Sequence, residues 1–507
     1  MRAIEINQAE KNYKRIEYGL VFLFFFWLIW GIFSKDKMPA VDGLGWDGVS
    51  YANIAREFPQ WVLHNLLSEY RLQRILPSGI IYFFTKIAHV SLSVSRMPMA
   101  FSIYNTVLLG FSVFIWRAIA TRLQWRPEVR LVSFAGLFLN YAILKMNTYY
   151  PVLTDTSAFF CGLLMLYFFI AGKNYFVLLT SIISAFVFPT LLYVGLILFV
   201  FPREKVKNPV SESSFFSRDG LFFAALIAAF VVMLSLVFNY RMEHKEGFAL
   251  GAIFSMPVLF FSATALFGYL FLALCPLYVN YVKVLNQIKT ASWFRVMIAC
   301  FVFVFIKSVI HSFSSGEAGP LTPRLFLHVI TIRAIAYPFI FLISDVLYYG
   351  PVVCLLIYFW KEVAGWLKNN NFTLLIITAF YVILSIDSEA RQVINFLPIA
   401  VFAVAEVLNQ QKLSARFTYG FIILSLLISR FWLPLNHGEW PSLFTNPPQV
   451  TLEFPMQWYF MSQAPWMSHA MYVVASITVM MVFLAVYSLL KREVRPDTAL
   501  SQDFSRA

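Results

Sequence analysis

Long apolar segments recur along the whole chain, and they constrain its fold more than any other feature. The first runs from Tyr18 to Ser34, contains no charged residue and is rich in Phe and Trp. A bilayer core about 30 Å thick is spanned by an α-helix of roughly 20 apolar residues. Because 60% of the residues are hydrophobic and only 13% are charged, against about 25% in a soluble domain, the sequence predicts a multi-pass membrane protein.

The apolar segments predict an all-α, polytopic transmembrane helical bundle with about 14 spans, within a range of about 11 to 14. The spans are placed near residues 17–34, 97–117, 131–146, 156–172, 175–188, 189–201, 220–240, 258–280, 296–311, 337–360, 372–386, 395–408, 417–434 and 468–490. The two that flank Pro189 are short for full crossings. Kinked or half-length helices are an alternative there.

Lys and Arg are distributed unevenly between the two sets of connecting loops. Alternate loops, together with both chain ends, hold 24 of the 39 basic residues, and loops with such an excess stay in the cytoplasm. The sequence therefore predicts cytoplasmic termini in an integral protein of the plasma (inner) membrane. Within a single transmembrane domain, 1–507, the first extracytoplasmic loop is 35–96, the remaining bundle is 97–490 and a cytoplasmic tail is 491–507. The net charge of +13 indicates contact with lipid headgroups and not with nucleic acid, because the basic residues cluster in short loops.

The first outer loop contains two amphipathic segments. In the first, apolar residues recur at near-helical spacing among polar ones, at Ile54, Phe58, Trp61, Val62 and Leu66. This pattern is typical of a helix lying on a membrane surface. Residues 77–92 are apolar but interrupted by Lys86 and His89, so they predict a second interfacial or half-inserted helix.

Charged residues at the predicted outer boundary are the candidates for chemistry, and Asp47 is the first of them. It lies in the stretch GLGWDGVSYANIAREF, where the flanking glycines leave room for a substrate. A carboxylate held near apolar surface can act as a general base. The alternative is a turn or helix cap, since Asp-Gly is a common turn pair and a helix is predicted to begin there.

Asp155 marks the outer end of a later span, in NTYYPVLTDTSAFFCGLLMLYF. It either caps that span or adds a second acid to the same outer cavity, to bind an acceptor or a cation. Tyr149 and Tyr150 precede it and offer rings to a sugar or a lipid headgroup. Aromatic residues at such a boundary more commonly belong to the interfacial belt.

Three arginines could bind a lipid phosphate. Arg391, in SIDSEARQVINFLP, presents a guanidinium that grips phosphate bidentately, or else pairs with the acidic residues Asp387 and Glu389 beside it. Arg71 and Arg74, in YRLQRILP, would meet phosphate or extend to headgroups as long basic side chains do.

Among the charged residues that fall within predicted spans are Lys307, Asp345 and Arg430. A charge in that position is costly, so each is either functional or paired structurally. The chain contains no convincing Walker loop, zinc-ligand spacing, G-x-S-x-G elbow or dinucleotide-binding fingerprint.

These residues together resemble the GT-C superfamily of integral-membrane glycosyltransferases. The segment GWDGVSYANIA is similar to the W-D-x-x-x-Y-x-x-I-A segment of the GPI mannosyltransferase II type and its bacterial relatives, which maps onto Asp47 and Tyr51. The segment around Asp155 resembles the superfamily's later Asp at an outer helix start. RQVINFLP resembles its late Arg-then-Pro segment, which maps onto Arg391 and Pro398.

The resemblance implies an inverting transfer of a sugar from a polyprenyl-phosphate donor to a glycan, lipid or protein acceptor. Asp47 would be the base, and Arg391, with Arg71 or Arg74, would hold the leaving phosphate. No cofactor is implied, although some members of the superfamily use a divalent cation. The main alternative is a multispan transporter or flippase, which the charges within spans favour. A membrane acyltransferase or polymerase is a further alternative that needs a His or Ser constellation.

Overall fold

The computed structural model describes residues 2–34, 36–38, 40–45, 47–90, 93–201, 217–243, 256–316, 323–434 and 469–491. Within these ranges the regular structure is α-helix and short 3₁₀ helix, with an isolated parallel β-bridge between Leu67 and Ser314. The prediction of an all-α fold is therefore confirmed for this part of the chain.

The described residues form 24 α-helices. In chain order these are α1 (Arg2–Phe33), α2 (Asp47–Arg56), α3 (Phe58–Leu63), α4 (Glu69–Leu72), α5 (Leu76–Ile87), α6 (Met97–Arg122), α7 (Pro127–Phe138), α8 (Tyr141–Leu144), α9 (Met146–Tyr149), α10 (Asp155–Ile170), α11 (Asn174–Ser184), α12 (Pro189–Val200), α13 (Arg218–Glu243), α14 (Met256–Leu274), α15 (Tyr281–Thr290), α16 (Trp293–Ser312), α17 (Pro323–Ala334), α18 (Ile340–Tyr349), α19 (Val352–Tyr358), α20 (Trp360–Asn370), α21 (Phe372–Leu384), α22 (Leu397–Asn409), α23 (Ala415–Ser429) and α24 (His469–Lys491). A 3₁₀ helix, Ala390–Phe396, leads directly into α22.

Seven helical segments in the described ranges are long and apolar enough to cross a membrane: Lys11–Phe33, Val94–Arg122, Arg218–Phe238, Pro257–Leu277, Trp293–Ser312, Ala390–Asn409 and Met471–Lys491. The bent pair Pro127–Phe138 and Tyr141–Tyr149 brings the number to eight if it is one span. Six other apolar helices, α10, α11, α12, α18, α21 and α23, are shorter than 18 residues. Membrane-protein character is thus supported by length and composition, but the predicted number of 14 spans is not confirmed.

The bend between α7 and α8 is stabilised by one side chain. Asn140 accepts a hydrogen bond from the Ile143 amide at 3.1 Å and donates to the carbonyls of Gly136 and Leu137, each at 3.0 Å. It therefore satisfies backbone groups on both sides of the 58° break, and apolar surroundings tolerate a broken helix only when those groups find partners.

The segment around Pro189 forms two short helices, α11 and α12, that pack side by side. Ser181 on α11 donates to the carbonyl of Leu192 on α12 at 3.1 Å, and Gly195 allows the close approach at Ser181. With 11 and 12 residues, each is about 17 Å long. They match the half-length alternative in size and are not one kinked helix.

The first outer loop differs in detail from the prediction. The predicted surface helix is divided at Glu57 into α2 and α3, with Pro59 in the first turn of α3. Ile54 is fully buried because α2 packs against α5, so α2 is a protein-packed helix. The second predicted helix is present as α5, and its residues Phe83 and Phe84 are exposed.

Candidate functional site

Three segments that are distant in sequence meet around Arg391. Its Nη2 atom lies 3.7 Å from Asp47 Oδ2 at the start of α2, and its Nη1 atom lies 3.7 Å from Asp155 Oδ1 at the start of α10. Nη2 and Nε also contact Glu389 Oε1 at 2.6 Å and 2.7 Å. The guanidinium of Arg391 is buried and therefore lies among three carboxylates.

Asp47 is the most accessible of these acids, since its side chain is 33% exposed. Arg71 Nη2 donates a hydrogen bond to Asp47 Oδ1 at 2.9 Å. Asp47 therefore lies between two guanidinium groups. The hydrogen bond that its carboxylate accepts in the described structure comes from Arg71 and not from an amide of α2, so capping does not account for its position.

The glycines around Asp47 pack against protein, contrary to the expectation that they leave room for a substrate. Gly45 has a φ of +58°, and a Cβ there would overlap the Tyr150 hydroxyl. A Cβ at Gly48 would overlap Val152 Cγ2. Both glycines thus let the turn approach the chain segment before α10, which places Asp47 close to Asp155.

We expect Gly48→Ala to destabilise the protein by about 1–3 kcal/mol, because the added methyl group overpacks the contact with Val152. Val152→Ala removes the overlapping Cγ2 atom and leaves the Val152 Cβ at 3.2 Å. The double variant should therefore lose less stability than the sum of the two single variants. Thermal unfolding of the four proteins in detergent measures this difference, and simple additivity would contradict the close contact.

Asp155 is buried, and neither of its carboxylate oxygens has a hydrogen-bond partner in the described structure. It is the first residue of α10 but does not cap the helix by a hydrogen bond. Arg391, at 3.7 Å, is the ion-pair partner that holds it. Both oxygens remain able to accept a hydrogen bond.

Arg71 and Arg74 lie inside the protein and do not extend to lipid headgroups. Arg71 stacks over the rings of Tyr51 and Tyr70 at 5.1 Å and 5.5 Å. Arg74 is buried between Tyr70 and Phe188 at 4.7 Å and 4.6 Å. Burial raises the pKa of Tyr51 to about 12, so its ring supports Arg71 as a neutral phenol.

Tyr149 and Tyr150 are only 2% and 3% exposed. The structure therefore offers neither ring as an open platform for a sugar, and neither belongs to an exposed interfacial belt. The Tyr149 carbonyl accepts a hydrogen bond from the amide of Met38 at 2.8 Å, and Tyr150 packs on the turn at Gly45. Their observed role is to hold the first outer loop against the rest of the bundle.

A second arginine, Arg333, belongs to the site and is not among the residues predicted from the sequence. Arg333 Nη1 lies 2.7 Å from Glu389 Oε2 and 3.5 Å from Asp387 Oδ1. Burial raises the pKa of the Glu389 carboxyl, but Arg391 and Arg333 lower it to a net value of about 2. Glu389 is therefore ionised at neutral pH and fixes Arg391. A lone arginine within the apolar stretch ITIRAIAYP was the available signal.

The charged residues predicted within spans have separate surroundings. Lys307 lies 3.5 Å from Gln73 Oε1, and Arg430 donates to the Leu347 carbonyl at 2.9 Å. These two therefore have structural partners, as the alternative interpretation expected. Asp345 lines a cavity whose lining does not include Arg391.

The cavity expected to be shared by Asp47 and Asp155 stays a prediction. Two other cavities in the described part of the chain, of about 890 Å³ and about 400 Å³, are lined by neither acid. Both acids contact the same guanidinium, that of Arg391. Within the described ranges no group of three or more His, Cys, Asp or Glu side chains is placed to hold a metal ion, and a divalent cation stays a prediction from the resemblance.

Comparison of the chain with protein-family models, with curated proteins and with solved structures gave no match. The cluster of Asp47, Asp155 and Arg391 is therefore the feature from which a function can be inferred.

Proposed function

We propose that the protein is a membrane glycosyltransferase that moves a sugar from a polyprenyl-phosphate donor to an acceptor at the extracytoplasmic face, with inversion. The observation that carries the proposal is the accessible carboxylate of Asp47 between Arg71 at 2.9 Å and Arg391 at 3.7 Å. A base and two phosphate-binding groups are thus adjacent at the predicted membrane boundary.

The two arginines can exchange Asp47 for a donor phosphate. Guanidinium binds phosphate and carboxylate with the same planar, bidentate geometry, so a phosphate can replace the carboxylate on either arginine. A sugar ring cannot fit within the 3.7 Å between Asp47 and Arg391. Donor binding must therefore widen this gap and release Asp47 from its present contacts, consistent with catalytic geometry that tightens only in the substrate complex.

The atoms and electrons of the proposed transfer balance without a cofactor. The acceptor oxygen attacks the anomeric carbon, the bond from that carbon to the phosphate oxygen breaks, and Asp47 takes the acceptor proton. Polyprenyl phosphate leaves with the bonding electrons, and the guanidinium of Arg391 stabilises its charge. Asp155, whose oxygens lack hydrogen bonds, accepts one from a substrate hydroxyl.

Contacts of charged side chains support the predicted assignment of the loops to two opposite membrane faces. Residues assigned to outer loops meet one another, as in the contacts of Arg391 with Asp47 and Asp155. Residues assigned to the opposite side also meet one another: Arg130 lies 2.7 Å from Glu17, and Trp125 donates to Glu406 at 2.7 Å. This partition supports the loop alternation on which the proposal depends.

The proposed orientation places Ser95 outside and Asn286 inside the cell. Both residues are exposed, so each can be replaced by cysteine in a Cys300→Ser background that removes the exposed native thiol. A membrane-impermeant maleimide added to intact cells should label Ser95→Cys and not Asn286→Cys. Labelling of both sites after permeabilisation is the control, and the reverse pattern in intact cells would exclude an extracytoplasmic Asp47.

The direct test is incubation of the purified protein with a panel of polyprenyl-phosphate sugars and membrane-derived acceptors. We expect consumption of one donor and release of polyprenyl phosphate. Asp345, buried in a cavity among apolar helices, is the observation that favours a transporter instead. Movement of a lipid-linked sugar across a proteoliposome membrane, without release of polyprenyl phosphate, would support that alternative and exclude the transferase.

A further inference from the structure

A cavity of about 890 Å³ lies among α14, α18, α19, α21 and α22, and its lining includes none of Asp47, Asp155 and Arg391. Its lining is mainly apolar, and the lining residues Phe261, Leu272 and Phe339 are 62%, 59% and 45% exposed. The cavity therefore opens onto an apolar surface of the described bundle. In a membrane protein such a surface faces lipid, so a ligand can enter from the bilayer.

Asp345 is the acidic residue in the cavity wall. It is 8% exposed, and its Oδ1 atom has no hydrogen-bond partner in the described structure. Two hydroxyl groups of the lining already have partners, because Tyr269 pairs with Ser385 at 2.7 Å and Tyr349 donates to the Ala390 carbonyl. The Thr378 hydroxyl in the same lining has none in the described structure. A carboxyl group buried without a partner is costly, so its position in a cavity indicates a ligand.

The described basic residues do not compensate Asp345. Lys361 lines the same cavity, but no ion pair joins Asp345 to a Lys or Arg side chain within the described ranges. A positive charge supplied by a ligand favours the ionised form of this buried carboxyl group and pairs with it, which a neutral hydroxyl does not, and hydrogen bonds between ionised groups are the stronger ones.

We propose that this cavity binds an amphiphile with a hydrocarbon chain and a primary amine, which places its chain against the apolar lining and its ammonium group on Asp345. The lining of this site includes none of Asp47, Asp155 and Arg391. A membrane amphiphile fits as its occupant because the rim at Phe261, Leu272 and Phe339 is apolar and exposed.

The test compares dodecylamine with dodecanol, which have the same chain, as ligands of the purified full chain in detergent. We expect the amine to bind about tenfold more tightly, the ratio for one charge-assisted hydrogen bond. Asp345→Asn should remove this preference and leave dodecanol binding unchanged. Glu362→Gln, which neutralises an exposed acid, is the matched control and should keep the preference.

A second variant keeps the proposal testable if Asp345→Asn fails to fold. Gly268 lines the cavity, and a Cβ there meets open space, so Gly268→Leu should occupy part of the cavity and weaken the binding of both ligands. Equal binding of amine and alcohol by the wild-type protein would overturn the proposal. Loss of sugar transfer in Gly268→Leu would also overturn it, because it would assign the cavity to the polyprenyl chain of the donor.

Discussion

Asp47→Asn is expected to lower sugar transfer by about 10²–10⁴-fold while the protein still inserts, folds and binds donor. Asparagine has the size of aspartate and can still accept the hydrogen bond from Arg71, but it cannot take a proton from the acceptor. The loss therefore matches the usual contribution of general base catalysis. The rate of polyprenyl phosphate release, measured at saturating donor, reports it.

The stability of Asp47→Asn separates catalysis from structure. The Asp47 side chain is 33% exposed, so its pairing with Arg71 contributes at most about 1 kcal/mol to folding. Glu57→Gln is the matched control, because Glu57 lies in the same loop, is exposed and has only a 3.9 Å contact with Arg56. A folded Asp47→Asn protein with more than about a tenth of wild-type turnover would contradict a role as base.

The sequence predicted the class of fold and the three residues at the centre of the cluster. Asp47, Asp155 and Arg391 each follow or precede an apolar segment, and the predicted alternation of the spans assigns them to one membrane face. The structure brings all three within 3.7 Å contacts. The three residues could be selected from hydropathy and charge placement because both patterns are read directly along the sequence.

The features that the sequence did not predict depend on contacts between distant segments. Hydropathy cannot separate a full span from the short helices α11 and α12, which pack together at Ser181 and Gly195. The spacing of residues along the sequence likewise cannot show that Arg333 forms an ion pair with Glu389, or that Tyr150 packs against the turn at Gly45. These pairings are decided by tertiary packing.

Arg391→Lys is expected to weaken donor binding and turnover by roughly 10- to 100-fold, the value of a charge-assisted bidentate contact. Lysine keeps the positive charge that compensates Asp155 and Glu389 but lacks the planar fork. Isothermal titration with a polyprenyl-phosphate sugar measures binding. Unchanged affinity and turnover in the lysine variant would show that charge alone, and not the geometry of the guanidinium, is needed at this position.

A variant that removes the charge of Arg391 must also remove a buried acid that Arg391 pairs with. Arg391→Met leaves Glu389 and Asp155 buried without this partner, which costs about 3–5 kcal/mol, so the single variant tests folding more than function. Glu389→Gln combined with Arg391→Met removes one of these two buried acids together with the guanidinium, so it should cost less stability than Arg391→Met alone. Glu389→Gln combined with Arg333→Met is the control, because Arg333 contacts Glu389 and Asp387 but not Asp47 or Asp155.

If Arg391 holds the leaving phosphate, only the variant that lacks Arg391 loses donor binding, although both double variants lose a buried ion pair. The affinity for a polyprenyl-phosphate sugar, measured for each double variant against Glu389→Gln alone, should fall at least about tenfold for Arg391→Met and remain unchanged for Arg333→Met. Equal affinities in the two double variants would reduce Arg391 to a structural cation. The two double variants remove the same number of charged groups and differ only in which arginine is replaced. This is possible because the two arginines contact opposite oxygens of the Glu389 carboxylate.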